Sequence, residues 1–307
     1  MIGMFTLLVS CGDLNSPTGD GVNVTRCSSD TDIPFARRPL RMAMENSGNP
    51  LYDRLYVLDE FSGVSRWNRK SYGCGWELDR AWQSGGSLQL DGFAEELDLS
   101  SDGRLYVKSG SQLLVPNQDT CTAQSGSFAV SPSGANWVLS SNFGAELWSF
   151  GANECQESGN VPSFGAALTA DFDDQGFVDV EATLTRPERL VGYSGSGANQ
   201  WIEPLSVAQG IEPYLCSADR VRTSSSEIVI LDKTCGKLAT FDRSGRWIAS
   251  IMLDSIGIRH SRVLDVAISS PGVAELLVDD AVLTTQVSWR ALMASNFGSS
   301  GGGIILP

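Results

Sequence analysis

A single histidine, His260, serves a chain of 307 residues, and basic side chains are scarce, with 22 Lys and Arg against 36 Asp and Glu for a formal charge of −14. One imidazole excludes most zinc sites and Ser-His-Asp hydrolysis, which both lean on histidine. The shortage of Lys and Arg excludes a nucleic-acid binder, whose phosphate contacts need clustered cations. Long hydrophobic runs are lacking too. The apolar stretch that opens the chain, MIGMFTLLVS, covers ten residues, short of the ~20 that span a bilayer. No two cysteines are spaced C-x-x-C, which removes zinc ribbons and thioredoxin-like redox sites. With 42% hydrophobic and 19% charged residues, the chain can still bury a large core and is not a disordered polymer.

The opening run ends Leu8-Val9-Ser10-Cys11. This resembles the lipobox of bacterial lipoproteins: an aliphatic residue, a small or aliphatic residue, a small residue, then Cys. No Lys or Arg precedes Cys11, so the basic start of such a leader is missing. The resemblance implies that residues 1–10 are a signal peptide and that Cys11 is acylated, anchoring the protein to a membrane of a bacterial cell envelope. Without it, Cys11 is a free or bridged cysteine behind an apolar N-terminus. Residues 11–32, rich in Gly, Ser, Thr, Asn and Asp and without apolar periodicity, read as a flexible tether.

Beyond the tether, helical periodicity gives way to short β-branched and aromatic segments bounded by Gly, Ser, Asn and Asp. The strongest begin at Arg54, Arg104, Asn136, Phe177, Glu227 and Ala274, spaced 50, 32, 41, 50 and 47 residues apart, a mean of 44. Several strands per ~40 to 50 residues is the period of a propeller blade. Units such as LDLSSDG-RLYVKSG and EIVILDK-KLATFDRSG resemble the blades of NHL-type six-bladed propellers. The expectation is all-β, with a flexible N-terminal tether and one six-bladed propeller over residues 33–307, residues 33–45 supplying the first inner strand. Closure has two solutions: Gly298 to Pro307 is a frayed tail, or Ile304-Ile305-Leu306 returns as the last strand.

Setting Cys11 aside leaves Cys27, Cys74, Cys121, Cys155, Cys216 and Cys235. An even set in an exported chain reads as a disulfide framework with fifteen possible connectivities. The expected pairs are Cys121 with Cys155 across neighbouring blades, Cys216 with Cys235 within blade five, and Cys27 with Cys74.

One segment carries a metal-ligand pattern. Asp171-Phe-Asp173-Asp-Gln175-Gly-Phe-Val-Asp179 resembles the calcium loop of FG-GAP propeller blades, which implies Ca²⁺ held by Asp171, Asp173, Gln175 and Asp179. The same register in blades two and three, Asp98-Leu-Ser-Ser-Asp-Gly and Ala129-Val-Ser-Pro-Ser-Gly, is an ordinary hairpin turn, and that reading stays open for blade four. Other acids, namely Asp59-Glu60, Glu95-Glu96, Asp98, Asp265 and Asp279-Asp280, either converge on the channel or form a solvated surface, the second being the expectation from composition. Trp67, Trp148, Trp201 and Trp247 occupy repeat-equivalent positions and read as packing between blades rather than a sugar platform. His260 has no nearby ligand partner in sequence. Gly192-Tyr-Ser-Gly lacks the strand-turn-helix setting of a nucleophile elbow, and no catalytic residue is expected. The functional expectation is a binding or scaffolding module that presents a rigid surface to a protein or glycan partner. Its rival is a metal-dependent propeller hydrolase of lactonase or esterase type, which requires at least three carboxylate or amide side chains converging at the channel floor.

Overall fold

In the computed structural model, six small antiparallel sheets stand in a ring, a six-bladed β-propeller with no α-helix among the described residues. The structure describes residues 16–18, 22–27, 38–45, 53–61, 63–71, 75–83, 85–90, 93–114, 121–122, 126–150, 155–162, 165–182, 187–205, 215–279 and 284–290. Blade one comprises Pro39–Glu45, Arg54–Asp59, Gly63–Arg69 and Trp76–Leu78, with Ser87–Gln89 paired beside the third strand. Blade two is Ala94–Leu99, Leu105–Ser109, Gln112–Leu114 and Cys121–Thr122. Blade three is Ser127–Val130, Asn136–Ser141, Gly144–Phe150 and Cys155–Asn160. Blade four is Ala166–Asp173, Gly176–Ala182, Arg189–Tyr193 and Asn199–Pro204. Blade five is Arg220–Thr223, Glu227–Asp232, Lys237–Asp242 and Trp247–Met252. Blade six has Val263–Ser270, Val273–Val278 and Thr284–Ser288.

The six repeat segments are the second strands of the six blades. They are the most apolar because neighbouring sheets cover both of their faces. Glu227–Asp232 and Val273–Val278 are buried at every residue, the continuous run expected of a strand without a wet face. Inner strands of successive blades pack side by side, and the sixth returns to the first. Apolar clusters fill the wedges between blades. Met42, Leu55, Val57 and Trp67 meet Ala267 and Leu277 at the closing seam, while Val138, Leu147, Phe177 and Tyr193 fill the wedge between blades three and four.

Closure comes from the N-terminus. Val22–Cys27 is the outer strand of blade six, pairing with Thr284–Ser288 from Asn23 opposite Ser288 to Cys27 opposite Thr284, and Ser16–Thr18 pairs outside it. Two pieces of the segment that reads as a tether are therefore built into the ring. The reason is the short alternation Val22-Asn-Val24, which puts Val22 into the cluster of blades five and six and Val24 against it. Residues 291–307, which held the C-terminal alternatives, lie outside the described residues.

Two expected disulfides are present. Cys121–Cys155 joins the outer strands of blades two and three, and Cys216–Cys235 ties the approach to blade five to the turn after its second strand, each with Cα atoms 5.6 Å apart. Cys27 is also disulfide-bonded. Cys74, expected as its partner, lies outside the described residues, as does Cys11.

Candidate functional site

Charge is concentrated where the six inner strands face the axis. On the inner strand of blade five, Arg220 and Arg222 are two residues apart and so share a face. Their side chains are 3% and 8% exposed. Arg220 Nε donates to Asp265 Oδ1 of blade six at 3.0 Å, Nη2 lies 2.6 Å from Glu96 Oε2 of blade two, and Nη1 donates to Ser127 Oγ of blade three at 3.2 Å. Arg222 Nη1 donates to Asp171 Oδ1 of blade four at 3.2 Å and sits 3.7 Å from Asp98 of blade two. Its Nε donates to the Val266 carbonyl of blade six and its Nη2 to the Met42 carbonyl of blade one, both at 3.1 Å. Two adjacent side chains of one blade thus bond to all five others and cross the axis.

The carboxylates do a second job. Asp98 accepts from Val130 N–H at 2.7 Å, Asp171 from Thr223 N–H at 2.6 Å, and Asp265 from Met42 N–H at 2.9 Å. Blades two, four and six each stitch themselves in this way to the inner strand of the next blade, and the unit of the pattern is a pair of blades. Glu96 completes the set by accepting from Arg41 of blade one at 3.2 Å.

Glu96, Asp98, Asp171 and Asp265 bring four negative charges to the axis, and Arg41, Arg220 and Arg222 bring three positive ones. Burial pushes Asp98 up to about 6, against the pull of Arg222, with Asp171 adding to the rise. Burial also raises Asp171 despite Arg222. Burial acts on Asp265 in the same sense, yet Arg220 and Arg222 together outweigh it and hold that carboxyl below its ordinary range. Desolvation disfavours the arginine charges, but Asp265 and Glu96 overcome it at Arg220, and Asp171 leads the groups that overcome it at Arg222. A carboxylate bracketed by two guanidiniums stays ionised, while those sharing one guanidinium hold their proton more tightly.

The acids singled out in the sequence divide between axis and surface. Glu96, Asp98 and Asp265 reach the axis and are buried, which corrects the expectation of a solvated surface for them. Asp59 accepts from Phe61 N–H and Gly63 N–H and locks a turn, and Glu60 pairs with exposed Arg38. Glu95 pairs with Lys108 and Asp279 with Arg262, and Asp280 lies outside the described residues. His260 Nδ1 contacts Asp254 Oδ2 at 2.7 Å on the surface. Trp67 is buried, Trp148 stacks on Trp137, and Trp201 lies against Gly192, where a Cβ would be 2.2 Å from its ring. Trp247 is 37% exposed.

The blade-four loop does not gather its four residues. Asp171 is directly opposite Val178 and Ala170 opposite Asp179, so Asp179 projects from the sheet face opposite to that of Asp171 and Asp173. Asp171 belongs to Arg222 and Thr223, and Asp173 pairs with Arg243 at 2.7 Å while capping Gln175 N–H at 2.8 Å. Asp179 is fully buried toward blade three, 3.5 Å from Ser140 Oγ, and burial together with Glu181 raises it well above the usual carboxylate range. These residues do not fit one calcium ion, which needs six to eight converging oxygens. Among the described residues the one cluster with metal-ligand proximity, Cys216, Asp232 and Cys235, contains a disulfide pair and offers no thiolate.

The arginines were missed because Arg220-Val-Arg222 carries no motif. Only its alternation ahead of a buried second strand marks it. No protein-family model and no curated protein matches the chain. Among solved structures it is similar to hydrazine synthase of Kuenenia stuttgartiensis, with a TM-score of 0.57 at 12% identity over 85% of this chain and 80% of that one. At that identity the likeness shows the propeller fold alone.

Proposed function

We propose that this chain is a lipid-anchored propeller of a bacterial envelope that binds a protein or glycan partner through its rim loops, with no chemistry at its axis. The observation that carries the reading is the placement of Arg220 and Arg222 of blade five across the axis, against Glu96 and Asp98 of the opposite blade two, where a channel enzyme would hold its metal and substrate. A hydrolase needs converging carboxylates, and four do converge. Each, however, accepts from an arginine or a backbone N–H, so guanidinium groups already occupy the cation positions. The rigid ring leaves the exposed turns as the recognition surface. The lipobox Leu8-Val9-Ser10-Cys11 supports the anchor, and no helix among the described residues is long and apolar enough to cross a membrane. The charge of −14 favours a basic partner and salt-sensitive association.

Palmitate fed to the native bacterium should label the chain and leave Cys11→Ser unlabelled. A wild-type chain that takes no label ends the anchor reading. Partner capture from native envelope fractions should weaken as salt rises from low to physiological strength, and capture indifferent to salt removes the electrostatic part. Hydrolysis of lactone or ester substrates that depends on an added divalent ion and is abolished by Asp265→Asn would establish the enzyme reading instead.

A further inference from the structure

Each inner strand begins at the end of its blade that also bears the turn between second and third strands, as the pairings of Pro39 with Asp59, Ala94 with Ser109 and Ser127 with Ser140 show. This end is the upper rim. At the lower rim the turns of blades two and three touch, Ser101 N–H donating to the Pro132 carbonyl at 2.8 Å. Three of the most exposed large hydrophobic side chains all lie on the upper rim. They are Phe61 in the turn of blade one, Phe93 leading into blade two and Phe143 in the turn of blade three, at 62%, 75% and 89% exposure. Turn positions ordinarily take Gly, Asn, Asp or Ser, and three phenylalanines on consecutive blades depart from that.

Their backbones are held. Asp59 Oδ1 accepts from Phe61 N–H at 2.8 Å, and Gln89 Nε2 donates to the Phe61 carbonyl at 2.7 Å. Ser109 Oγ donates to the Phe93 carbonyl at 2.8 Å, and Phe143 N–H donates to Ser141 Oγ at 3.2 Å. The rings project from a fixed frame with no apolar cover. The upper rim of blades five and six carries instead the Asp254–His260 and Arg262–Asp279 pairs, with Met252, 45% exposed, as its one large exposed apolar side chain among the described residues.

The N-terminal strands place Ser16 on the outer edge of blade six. Cys27 lies opposite Thr284 at the upper rim, and Ser16 lies opposite Val24, three residues lower. Ser16–Thr18 runs downward from there, with Ser16 at its upper end. Four residues lie between Cys11 and Ser16, so Cys11 is at most about 17 Å of extended chain from Ser16, which itself sits about 10 Å below the upper rim. That reach is enough for an acyl chain on Cys11 to bring the upper rim to a lipid surface.

We infer that the upper rim of blades one to three is a membrane-docking face, on which Phe61, Phe93 and Phe143 insert into the headgroup region of a lipid bilayer. The inference rests on the lipid-anchor reading for how the protein reaches that surface. Apolar side chains on a polar body bind at the interface in proportion to the area they bury. With a net charge of −14 the attraction must come from the rings, so a zwitterionic surface suits this face better than an anionic one.

The test removes acylation from the question. The full chain carrying Cys11→Ser and an N-terminal polyhistidine tag is tethered to phosphatidylcholine vesicles through a nickel-chelating lipid, and amide hydrogen exchange is followed. Exchange around Phe61, Phe93 and Phe143 should slow about tenfold on the vesicles, with the lower turns near Ser101 and Pro132 unchanged. Phe61→Ser/Phe93→Ser/Phe143→Ser should abolish the slowing, and an unchanged circular dichroism spectrum verifies its fold. Unchanged exchange at the three turns, or equal slowing at both rims, overturns the docking face. Slowing that follows protein concentration without vesicles overturns it in favour of pairing between two copies. Palmitate labelling of Cys11 is read separately, so docking and anchoring fail by different measurements.

Discussion

Arg222 Nη2 of blade five donates to the Met42 carbonyl of blade one at 3.1 Å, a bond between residues 180 apart in sequence that reaches past blade six to the far side of the closing seam. The same guanidinium reaches blades two, four and six. One side chain thus senses the relative position of five inner strands, including both sides of the seam where the ring closes. Arg222→Met should cost about 3 to 5 kcal/mol, because Asp98 and Asp171 are left buried without their cation. Arg222→Lys should recover little, since an ammonium cannot serve a carboxylate and two carbonyls set around a planar fork. Urea denaturation checks this, and a loss below about 1 kcal/mol for Arg222→Met would show that the axis is not under this constraint.

Burial at the axis, which Arg222 only partly offsets, also fixes a pH dependence. Asp98 is raised from 3.8 to about 6 in the folded chain, so the folded state holds a proton that the unfolded state releases. Its contribution is fully present below pH ~4, is lost as pH rises toward ~6 and is constant above, a total of about 3 kcal/mol. Asp265 acts in the opposite sense, since its lowered pKa adds stability above the unfolded value that is lost only in strong acid. Asp98→Asn keeps an oxygen for Val130 N–H and removes the titration. It should match the wild type near pH 4 and exceed it in unfolding free energy at pH 7. Parallel stability profiles for the two proteins between pH 4 and 7 would contradict the assignment.

The second strands were legible from sequence because burial on both faces makes them near-continuous apolar runs, and Arg54-Leu-Tyr-Val and Arg104-Leu-Tyr-Val announce the repeat. The axis was not legible. Glu96, Asp98 and Asp265 look like any surface acids until a partner far away in sequence is known, and nothing in Arg220-Val-Arg222 names that partner. The closing strand was hidden for a related reason. Val22-Asn-Val24 is a weak alternation among Gly, Asn, Asp and Thr, and it becomes a strand only because Thr284–Ser288 offers an unpaired edge.

The calcium spacing misleads through strand parity. A calcium loop needs the chain between Asp171 and Asp179 to coil around the ion, whereas here a two-residue turn at Asp174 and Gln175 sends it straight back as a ladder. Saturating calcium should therefore leave the melting temperature unchanged. Asp173→Ala should lower it equally with and without calcium, by stranding Arg243, whose Nε and Nη1 are buried without partners among the described residues. A calcium-dependent rise in melting temperature that Asp173→Ala removes would restore the metal site.

Closure by Val22–Cys27 pairs the N-terminal strand with a strand some 260 residues later, so the contact carries a large loop-closure entropy that its packing must offset. Its inward residues are few. Val22 belongs to the apolar cluster of blades five and six that includes Val287 and Trp289, and Val24 packs against that cluster. Val22→Asp would bury a carboxylate beside Leu276 and Val287 with no cation in that apolar cluster, while Asn23→Asp, on the exposed face, changes the charge by the same amount. Val22→Asp should cost at least about 3 kcal/mol, with amide exchange rising first in Thr284–Ser288, and Asn23→Asp should fall within about 0.5 kcal/mol of the wild type. Equal effects of the two substitutions would mean that the strand is dispensable and that blade six closes the ring without it.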